Sequence, residues 1–135
     1  MKPTAGIDVG SLTAECAIID HKEGALLASA RAAVLPNPVD SARLVFDRAL
    51  TEAGLTARDL GRVIATGYGR EKICEDGLAN DQVSEISCHG FGAFSSDERI
   101  RTIIDIGGQD AKAIRVDDQG NLVDFVMNDK CAAGT

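Results

Sequence analysis

A pattern of one apolar strand, one glycine loop and two further strands occurs twice in this chain. The pattern predicts six strands, over residues 6–9, 14–20, 26–34, 101–105, 111–116 and 122–126. Each copy opens with an apolar-Asp-apolar-Gly core, at residues 7–10 and again at 104–107. Short strands that follow one another across tight turns favour antiparallel pairing. We therefore predict a fold that begins with an antiparallel meander and later repeats the same strand pattern.

Helical segments separate the two copies. The first helix is predicted to begin at Pro38 after an Asn37 cap and to end before Gly54, because apolar residues recur at helical spacing between them. A short buried strand follows over residues 62–66 and ends in a glycine turn at residues 67–70. Because its glycines allow a close backbone approach, this turn is predicted to form the edge of a site. A second helix is predicted over residues 81–95.

This order of elements predicts an α/β fold in two subdomains. Residues 1–98 are predicted to form the first subdomain, a mixed sheet that contains the antiparallel meander and is flanked by helices. Residues 99–135 resemble the beginning of a second copy without its helices. The second subdomain is therefore expected to be incomplete in this sequence.

Composition excludes several classes of protein. The chain of 135 residues is 44% hydrophobic and 26% charged, which is typical of a globular domain, and no apolar run approaches the roughly 18 residues of a membrane helix. Its net charge is −7 without a basic cluster, which argues against binding of nucleic acid. Because the amino terminus lacks the apolar stretch of a signal peptide, a cytoplasmic location is expected.

The first glycine loop carries residue types that bind a phosphate group and its metal. A turn directly after a strand directs backbone N–H groups such as that of Gly10 at an anion, and the Ser11 and Thr13 hydroxyls add neutral donors. Asp8 ends the strand, where a carboxylate can hold Mg²⁺ directly or through its water ligands. A single loop of this kind is equally compatible with an ordinary hairpin turn.

The second glycine loop repeats this design and favours a nucleotide site over two unrelated turns. Gly107 and Gly108 repeat the glycine turn, and Gln109 adds a donor for a phosphate oxygen. Two such loops are expected to clamp a triphosphate from opposite sides, with Asp105 facing the metal. Phosphoryl transfer depends mainly on positioning and charge neutralisation. The candidates for orienting or deprotonating the attacking water are Asp8, Asp105 and Glu85.

Several segments resemble known families. GIDVGS at residues 6–11 and IIDIGGQD at 103–110 look like the first and second phosphate motifs of the superfamily of actin, hexokinase and the heat-shock chaperone ATPases, which implies a ribonuclease H-like, actin-like ATPase fold. TGYGR at 66–70, SEISCHG at 84–90 and NDKCAAGT at 128–135 resemble the BadF/BadG/BcrA/BcrD-type ATPases. That family comprises activators of 2-hydroxyacyl-CoA dehydratases and ATPase subunits of benzoyl-CoA reductase. The resemblance spans essentially the whole chain.

The resemblance implies ATP-driven electron transfer in anaerobic metabolism. In that family the cysteine at the position of Cys131 ligates a 4Fe–4S cluster shared between two subunits, and hydrolysis of ATP with Mg²⁺ drives a low-potential electron to a partner enzyme. The implied partners are a second copy or a related subunit across the cluster, ferredoxin or flavodoxin as electron donor, and a dehydratase or reductase component as acceptor. Cys131 lies among small residues before a predicted helix start, where a thiolate is favoured.

The sequence departs from the family pattern at Glu15, because a lysine is common just after the first phosphate motif. The glutamate removes a positive charge near the nucleotide, which either weakens phosphate binding or indicates the benzoyl-CoA reductase type. Cys16, Cys74 and Cys88 match no cluster position and are interpreted as structural. His89 is interpreted as a residue that packs or forms a capping hydrogen bond.

Two other functions stay open on this sequence. A small-molecule kinase of the same superfamily would use a carboxylate as a base toward a hydroxyl group and would not need Cys131. A regulatory or assembly module would bind a partner and hydrolyse nothing. The superfamily's adenosine-binding motif and the second cluster cysteine are expected beyond Thr135, so residues 1–135 alone are expected to bind ATP poorly and to be inactive.

Overall fold

The structure, a computed structural model, describes residues 1–107 and 110–129 and contains two compact units. The first unit is Met1–Val83, and the second begins at Ser84. The elements of the first unit are β1 (Thr4–Val9), β2 (Thr13–Ile19), β3 (Leu26–Ala33), α1 (Pro38–Ala53), a 3₁₀ turn (Ala57–Asp59), β4 (Arg62–Gly67), α2 (Arg70–Glu75) and β5 (Asp81–Gln82). Those of the second are α3 (Glu85–Ser96), β6 (Thr102–Ile106), β7 (Asp110–Val116) and β8 (Leu122–Asp129).

The first unit is a mixed five-stranded sheet in the order β3-β2-β1-β4-β5. β1, β2 and β3 pair antiparallel in sequence, whereas β4 joins β1 in parallel and β5 joins β4 in parallel. The connection from β3 to β4 contains α1, because a parallel partner requires a crossover. The predicted meander is confirmed, and the parallel addition of β4 makes the sheet mixed as expected.

Helix α1 begins and ends at the predicted residues. The Asn37 side chain accepts a hydrogen bond from the Val39 N–H at 2.9 Å, and Pro38 occupies the first turn, where its missing N–H costs nothing. Gly54 ends the helix with a φ of 70°, the left-handed conformation that glycine adopts without strain. The helix therefore has its stop and start signals in the sequence.

One face of the first sheet packs on α1 and forms the larger core. Alternate residues of β1 and β2 are buried on this face, among them Ile7, Val9 and Cys16, and they contact the apolar stripe of α1. Burial raises the pKa of the Cys16 thiol to about 12, so this cysteine stays protonated and unreactive at neutral pH. Its predicted structural role agrees with this environment. Asp8, Glu15 and Thr66 alternate with these positions and therefore lie on the opposite face.

The region between β4 and α3 differs from the sequence prediction. A helix was predicted over residues 81–95, but Asp81 and Gln82 pair with β4 as a short strand, and the helix begins only at Glu85. Ser84 caps it, because its side chain accepts a hydrogen bond from the Ser87 N–H at 3.2 Å. The short helix α2 was not predicted. Its six residues are too few for a hydrophobic period to stand out.

The second unit packs α3 against a three-stranded antiparallel sheet in the order β6-β7-β8. Phe94 from the helix and Ile114 and Val116 from β7 form its small core. Because α3 packs on the second sheet, the second compact unit begins at Ser84. The predicted boundary after residue 98 was based on a different criterion, the point at which the strand pattern restarts. The predicted subdomain boundary stays a prediction. No helix in the described ranges 1–107 and 110–129 is long and apolar enough to cross a membrane.

Two glycines of α3 provide a test of how closely the helix packs on β7. A Cβ added at Gly90 would lie 2.9 Å from Val116 Cγ1 and 3.3 Å from Ile114 Cγ2, whereas one at Gly92 meets nothing within 4 Å. We expect Gly90→Ala to lower the free energy of unfolding by about 1–3 kcal/mol through overpacking. Gly92→Ala is expected to raise it by about 1 kcal/mol, because alanine is the better helix former.

Urea unfolding of the full-length protein, followed by circular dichroism, measures both effects. The two substitutions are identical in chemistry and lie in the same helix, so their difference isolates the contact with β7. Equal effects of Gly90→Ala and Gly92→Ala would contradict the close packing of α3 on the sheet.

Candidate functional site

The first predicted phosphate loop is the turn of the β1–β2 hairpin. Val9 and Ala14 form the last pair of the ladder, and the Gly10 N–H closes the turn by donating to the Thr13 carbonyl at 3.0 Å. This N–H is therefore used within the hairpin. Among the described residues no backbone carbonyl accepts from the N–H groups of Ser11 and Leu12, which lie at the exposed tip. The donors available to an anion are thus those of the tip rather than that of Gly10.

The second predicted phosphate loop has the same construction. Ile106 and Ala111 form the last pair of the β6–β7 ladder, and the Gly107 N–H donates to the Asp110 carbonyl at 2.8 Å. The two hairpins therefore have the same loop length and the same closing hydrogen bond. Gly108 and Gln109, the predicted phosphate donors of this loop, lie outside the described residues. Their role stays a prediction.

The identical register places the two predicted aspartates at equivalent positions but gives them opposite neighbours. Asp8 of β1 pairs across the ladder with Glu15, whereas Asp105 of β6 pairs with Lys112. The sequence repeat is thus a repeat of strand register as well as of loop motif. The positive charge that Glu15 removes from the first hairpin is present in the second hairpin as Lys112.

Polar groups around Glu15 are already engaged with one another. Arg31 lies opposite Glu15 on β3, with its Nε 3.3 Å from Glu15 Oε1. The Thr13 hydroxyl donates to the same carboxylate oxygen at 3.0 Å. The hydroxyl proton that was predicted to reach a phosphate is therefore directed at Glu15, and only the lone pairs of Thr13 Oγ1 are left.

Asp8 lies against the end of β4. The parallel register places it beside Thr66, and the next residue, Gly67, has a φ of +88°. A Cβ built on Gly67 would lie 2.5 Å from Asp8 Oδ1 and would also overlap the Val9 carbonyl oxygen. Thr66 Oγ1 is shielded from solvent and has no hydrogen-bond partner among the described residues. The glycine turn after β4, predicted as the edge of a site, thus contacts the predicted metal ligand.

Asp105 lies in a cluster of charged groups within the second unit. Its Oδ2 is 3.5 Å from Lys112 Nζ and 3.4 Å from His89 Nδ1, close enough for an ion pair when the imidazole is protonated. Lys112 Nζ also donates to Asp110 Oδ1 at 2.9 Å. The contact with Asp105 differs from the packing or capping role predicted for His89. We name Asp105, Asp110, Lys112 and His89 the Lys112 cluster.

The lysine at the centre of this cluster is charged although its side chain is only 9% exposed. Burial lowers the pKa of Lys112, but the hydrogen bond and negative charge of Asp110 and the charge of Asp105 outweigh burial and raise the pKa above its usual range. The cluster thus has one fixed cation between two carboxylates at the ends of the second loop. Glu85, the third predicted catalytic residue, is half-buried in the first turn of α3, one turn before His89.

The residue types at Asp8 fit a hydrated divalent cation. A cation of this kind keeps several water ligands and is usually bound through one or two carboxylates, and the unpartnered Thr66 hydroxyl beside Asp8 offers one more hydrogen-bonding group for such water. No group of three or more His, Cys, Asp or Glu side chains with metal-binding geometry occurs in residues 1–107 and 110–129. Cys131, the predicted cluster ligand, lies outside the described residues.

Sequence reasoning missed the contacts of two residues at these sites, and for Gly67 it predicted the edge of a site but not the contact with Asp8. Lys112 and His89 contact Asp105, and Gly67 contacts Asp8. The signal for Lys112 was present, because it follows the second loop at the offset at which Glu15 follows the first. The contact between Gly67 and Asp8 depends on the parallel pairing of β1 with β4, for which the sequence holds no local signal.

Comparison with known proteins finds relatives that match nearly the whole of this chain. The chain is 45% identical over 132 residues to the activator of lactoyl-CoA dehydratase from Anaerotignum propionicum, covering 98% of this chain and 49% of the relative. The crystal structure of component A of (R)-2-hydroxyglutaryl-CoA dehydratase from Acidaminococcus fermentans matches with a TM-score of 0.87 at 39% identity, covering 100% of this chain and 50% of that one.

A third relative was solved with a nucleotide analogue. The activator of 2-hydroxyisocaproyl-CoA dehydratase from Clostridium difficile, with bound ADPNP, matches with a TM-score of 0.82 at 39% identity, over 98% of this chain and 48% of that one. The chain therefore spans about half the length of these relatives. The solved structural neighbours of this chain have the actin-like ATPase fold, which confirms the fold predicted from the sequence. The model of the BadF/BadG/BcrA/BcrD ATPase family matches residues 5–135, and the chain belongs to that family.

Proposed function

We propose that the full-length protein is an ATP-hydrolysing activator that drives a low-potential electron to a 2-hydroxyacyl-CoA dehydratase or a benzoyl-CoA reductase. The observation that carries the proposal is the repeated hairpin, which places Asp8 and Asp105 at equivalent positions before two glycine loops. Relatives of this chain that match it over 98% of its length activate such dehydratases. An ATPase with two matched loops suits this role, because closure around a nucleotide can be coupled to a distant interface.

The two hairpins supply the groups that hold and position the phosphates. The N–H groups of Ser11 and Leu12 are available to phosphate oxygens at the first loop. Mg²⁺ bound at Asp8 would neutralise part of the phosphate charge. Asp105, held by Lys112 and His89, would orient the attacking water and accept its hydrogen bond. Glu85, one helical turn before His89, is the second candidate for orienting the attacking water.

The electron-transfer part of the proposal rests on the segment around Cys131. One thiolate from Cys131 in each of two subunits, together with a second cysteine from each, would complete the four ligands of a 4Fe–4S cluster. The subunits would be two copies of this protein or this protein and a related subunit. We place the protein in the cytoplasm, where ferredoxin or flavodoxin would reduce the cluster and the dehydratase or reductase component would receive the electron.

Iron analysis of the anaerobically prepared full-length protein tests this function. We expect the charge-transfer absorbance of an iron–sulfur cluster and its complete loss in Cys131→Ser, while ATP binding persists. Cys88→Ser is the matched control, because Cys88 is a half-buried cysteine of α3, and it is expected to retain the cluster. A wild-type protein without iron would refute the electron-transfer part of the proposal. ATP turnover that requires an added hydroxyl compound and is unchanged by Cys131→Ser would favour the kinase alternative.

A further inference from the structure

The glycine turn after β4 contacts the first site but has no role in the function proposed above. Gly67 leaves the space that the Asp8 carboxylate fills, and the Gly69 N–H donates to the Val9 carbonyl at 3.4 Å. Arg70 Nη1 donates to the Gly67 carbonyl at 3.1 Å, which adds a second hydrogen bond within the turn. The end of β4 is thus held firmly against the end of β1, beside the residue proposed to bind the metal.

Thr66 is the polar side chain that this arrangement places next to Asp8. The two residues are partners in the parallel ladder, so their Cα atoms lie about 4.8 Å apart and their side chains leave the sheet on the same face. Thr66 Oγ1 is shielded from solvent without a partner in the described part of the chain. A buried hydroxyl without a partner is unfavourable, whereas valine has the same shape, suits a strand equally well and avoids this cost.

The chemistry of the neighbouring carboxylate decides what the hydroxyl can bind. A phosphate oxygen placed directly between Asp8 and Thr66 would be repelled by the carboxylate. A water molecule bound to a divalent cation is a strong donor, and it can donate one hydrogen bond to the carboxylate and one to the hydroxyl.

We propose that Thr66 is an outer-sphere ligand of the divalent cation at Asp8, with Oγ1 accepting a hydrogen bond from a water molecule of the hydrated metal. The inference rests on the proposed function, because it requires a cation at Asp8. Thr66 is then a positioning residue of the metal site. The TGYGR segment contributes this residue from the end of β4, next to Asp8 near the end of β1.

Binding of Mn²⁺ to the full-length protein, measured by electron paramagnetic resonance of the free ion, tests the inference. Thr66→Val is expected to weaken Mn²⁺ binding about three- to tenfold, the loss of about one hydrogen bond, while the melting temperature of the metal-free protein stays equal or rises. Thr66→Ser keeps the hydroxyl and is expected to bind Mn²⁺ as the wild type does. Thr4→Val is the matched control, because Thr4 lies on the same face of β1.

The outcomes separate this inference from the proposed function. Asp8→Asn is expected to weaken Mn²⁺ binding. If it does so while Thr66→Val binds Mn²⁺ as tightly as the wild type, the role of Thr66 alone is overturned. Unchanged affinity in both variants would remove the cation from Asp8 and with it this part of the proposed function. A fall in melting temperature for Thr66→Val without a change in Mn²⁺ affinity would assign the hydroxyl a structural role and would also overturn the inference.

Discussion

Replacement of Gly67 by alanine is expected to lower ATP hydrolysis by the full-length protein about a hundredfold. The added methyl group would lie 2.5 Å from Asp8 Oδ1 and would overlap the Val9 carbonyl, so the carboxylate and the end of β1 must both move. A displacement of about 1 Å in a positioning group is enough for a loss of this size. Turnover measured at saturating ATP and Mg²⁺ reports the change.

The backbone at Gly67 adds a cost in stability that must be separated from the effect on Asp8. Its φ of +88° lies in the region that residues with a side chain rarely adopt, which costs about 1–2 kcal/mol for alanine. Gly77 provides the matched control, because its φ is +89° and an added Cβ meets nothing within 4 Å. Gly77→Ala is therefore expected to lose a similar backbone contribution but to keep its turnover. Equal turnover in the two variants would refute the contact between Gly67 and Asp8 as the reason for the glycine.

Local signals account for the elements that the sequence predicted well. Helix α1 has its Asn37 cap, its Pro38 start and its Gly54 stop within the segment itself, and the three strands of the meander are joined by short turns. Elements held by distant partners were not found in this way. Asp81 and Gln82 form a strand only because β4 lies beside them. The sequence gives no local sign of this pairing, so the helix was predicted to begin too early.

The same distinction between local signals and distant partners applies to the candidate sites. The aspartates and glycines of the two loops were recognisable because each loop is a short continuous motif that occurs twice. The groups that hold those aspartates come from elsewhere in the chain. Gly67 reaches Asp8 through a parallel pair, and His89 reaches Asp105 from a helix, so neither contact has a sequence spacing to reveal it. The clamping of one nucleotide between both loops stays a prediction.

Replacement of Lys112 by methionine is expected to destabilise the full-length protein by about 2–3 kcal/mol at neutral pH. The lysine side chain is only 9% exposed and lies between Asp105 and Asp110, so its removal leaves two half-buried carboxylates without their cation. Methionine keeps most of the apolar stem, so the loss reports the charge. Lys72→Met on the exposed surface of α2 is the control and is expected to change stability by less than about 0.5 kcal/mol.

The pH dependence of this loss tests the electrostatic origin directly. The folded-state pKa of Lys112 is raised, so the ion pairs stabilise the protein fully below the unfolded-state pKa of about 10.4 and less as the pH rises through the folded-state value. The difference in stability between wild type and Lys112→Met should therefore be constant from pH 7 to about pH 10 and shrink above it. A difference that persists unchanged at high pH would indicate packing rather than charge.

The same variant distinguishes a structural ion pair from a part of the nucleotide site. The Lys112 cluster lies at both ends of the second loop, so unpaired carboxylates at Asp105 and Asp110 would repel the phosphates of ATP. We expect the KM for ATP to rise about tenfold in Lys112→Met, and Lys112→Arg, which keeps the charge, to recover part of this loss. The first hairpin has Glu15 at the equivalent position, so it offers no lysine that could replace Lys112 in this role. An unchanged KM together with the loss of stability would confine Lys112 to holding the hairpin.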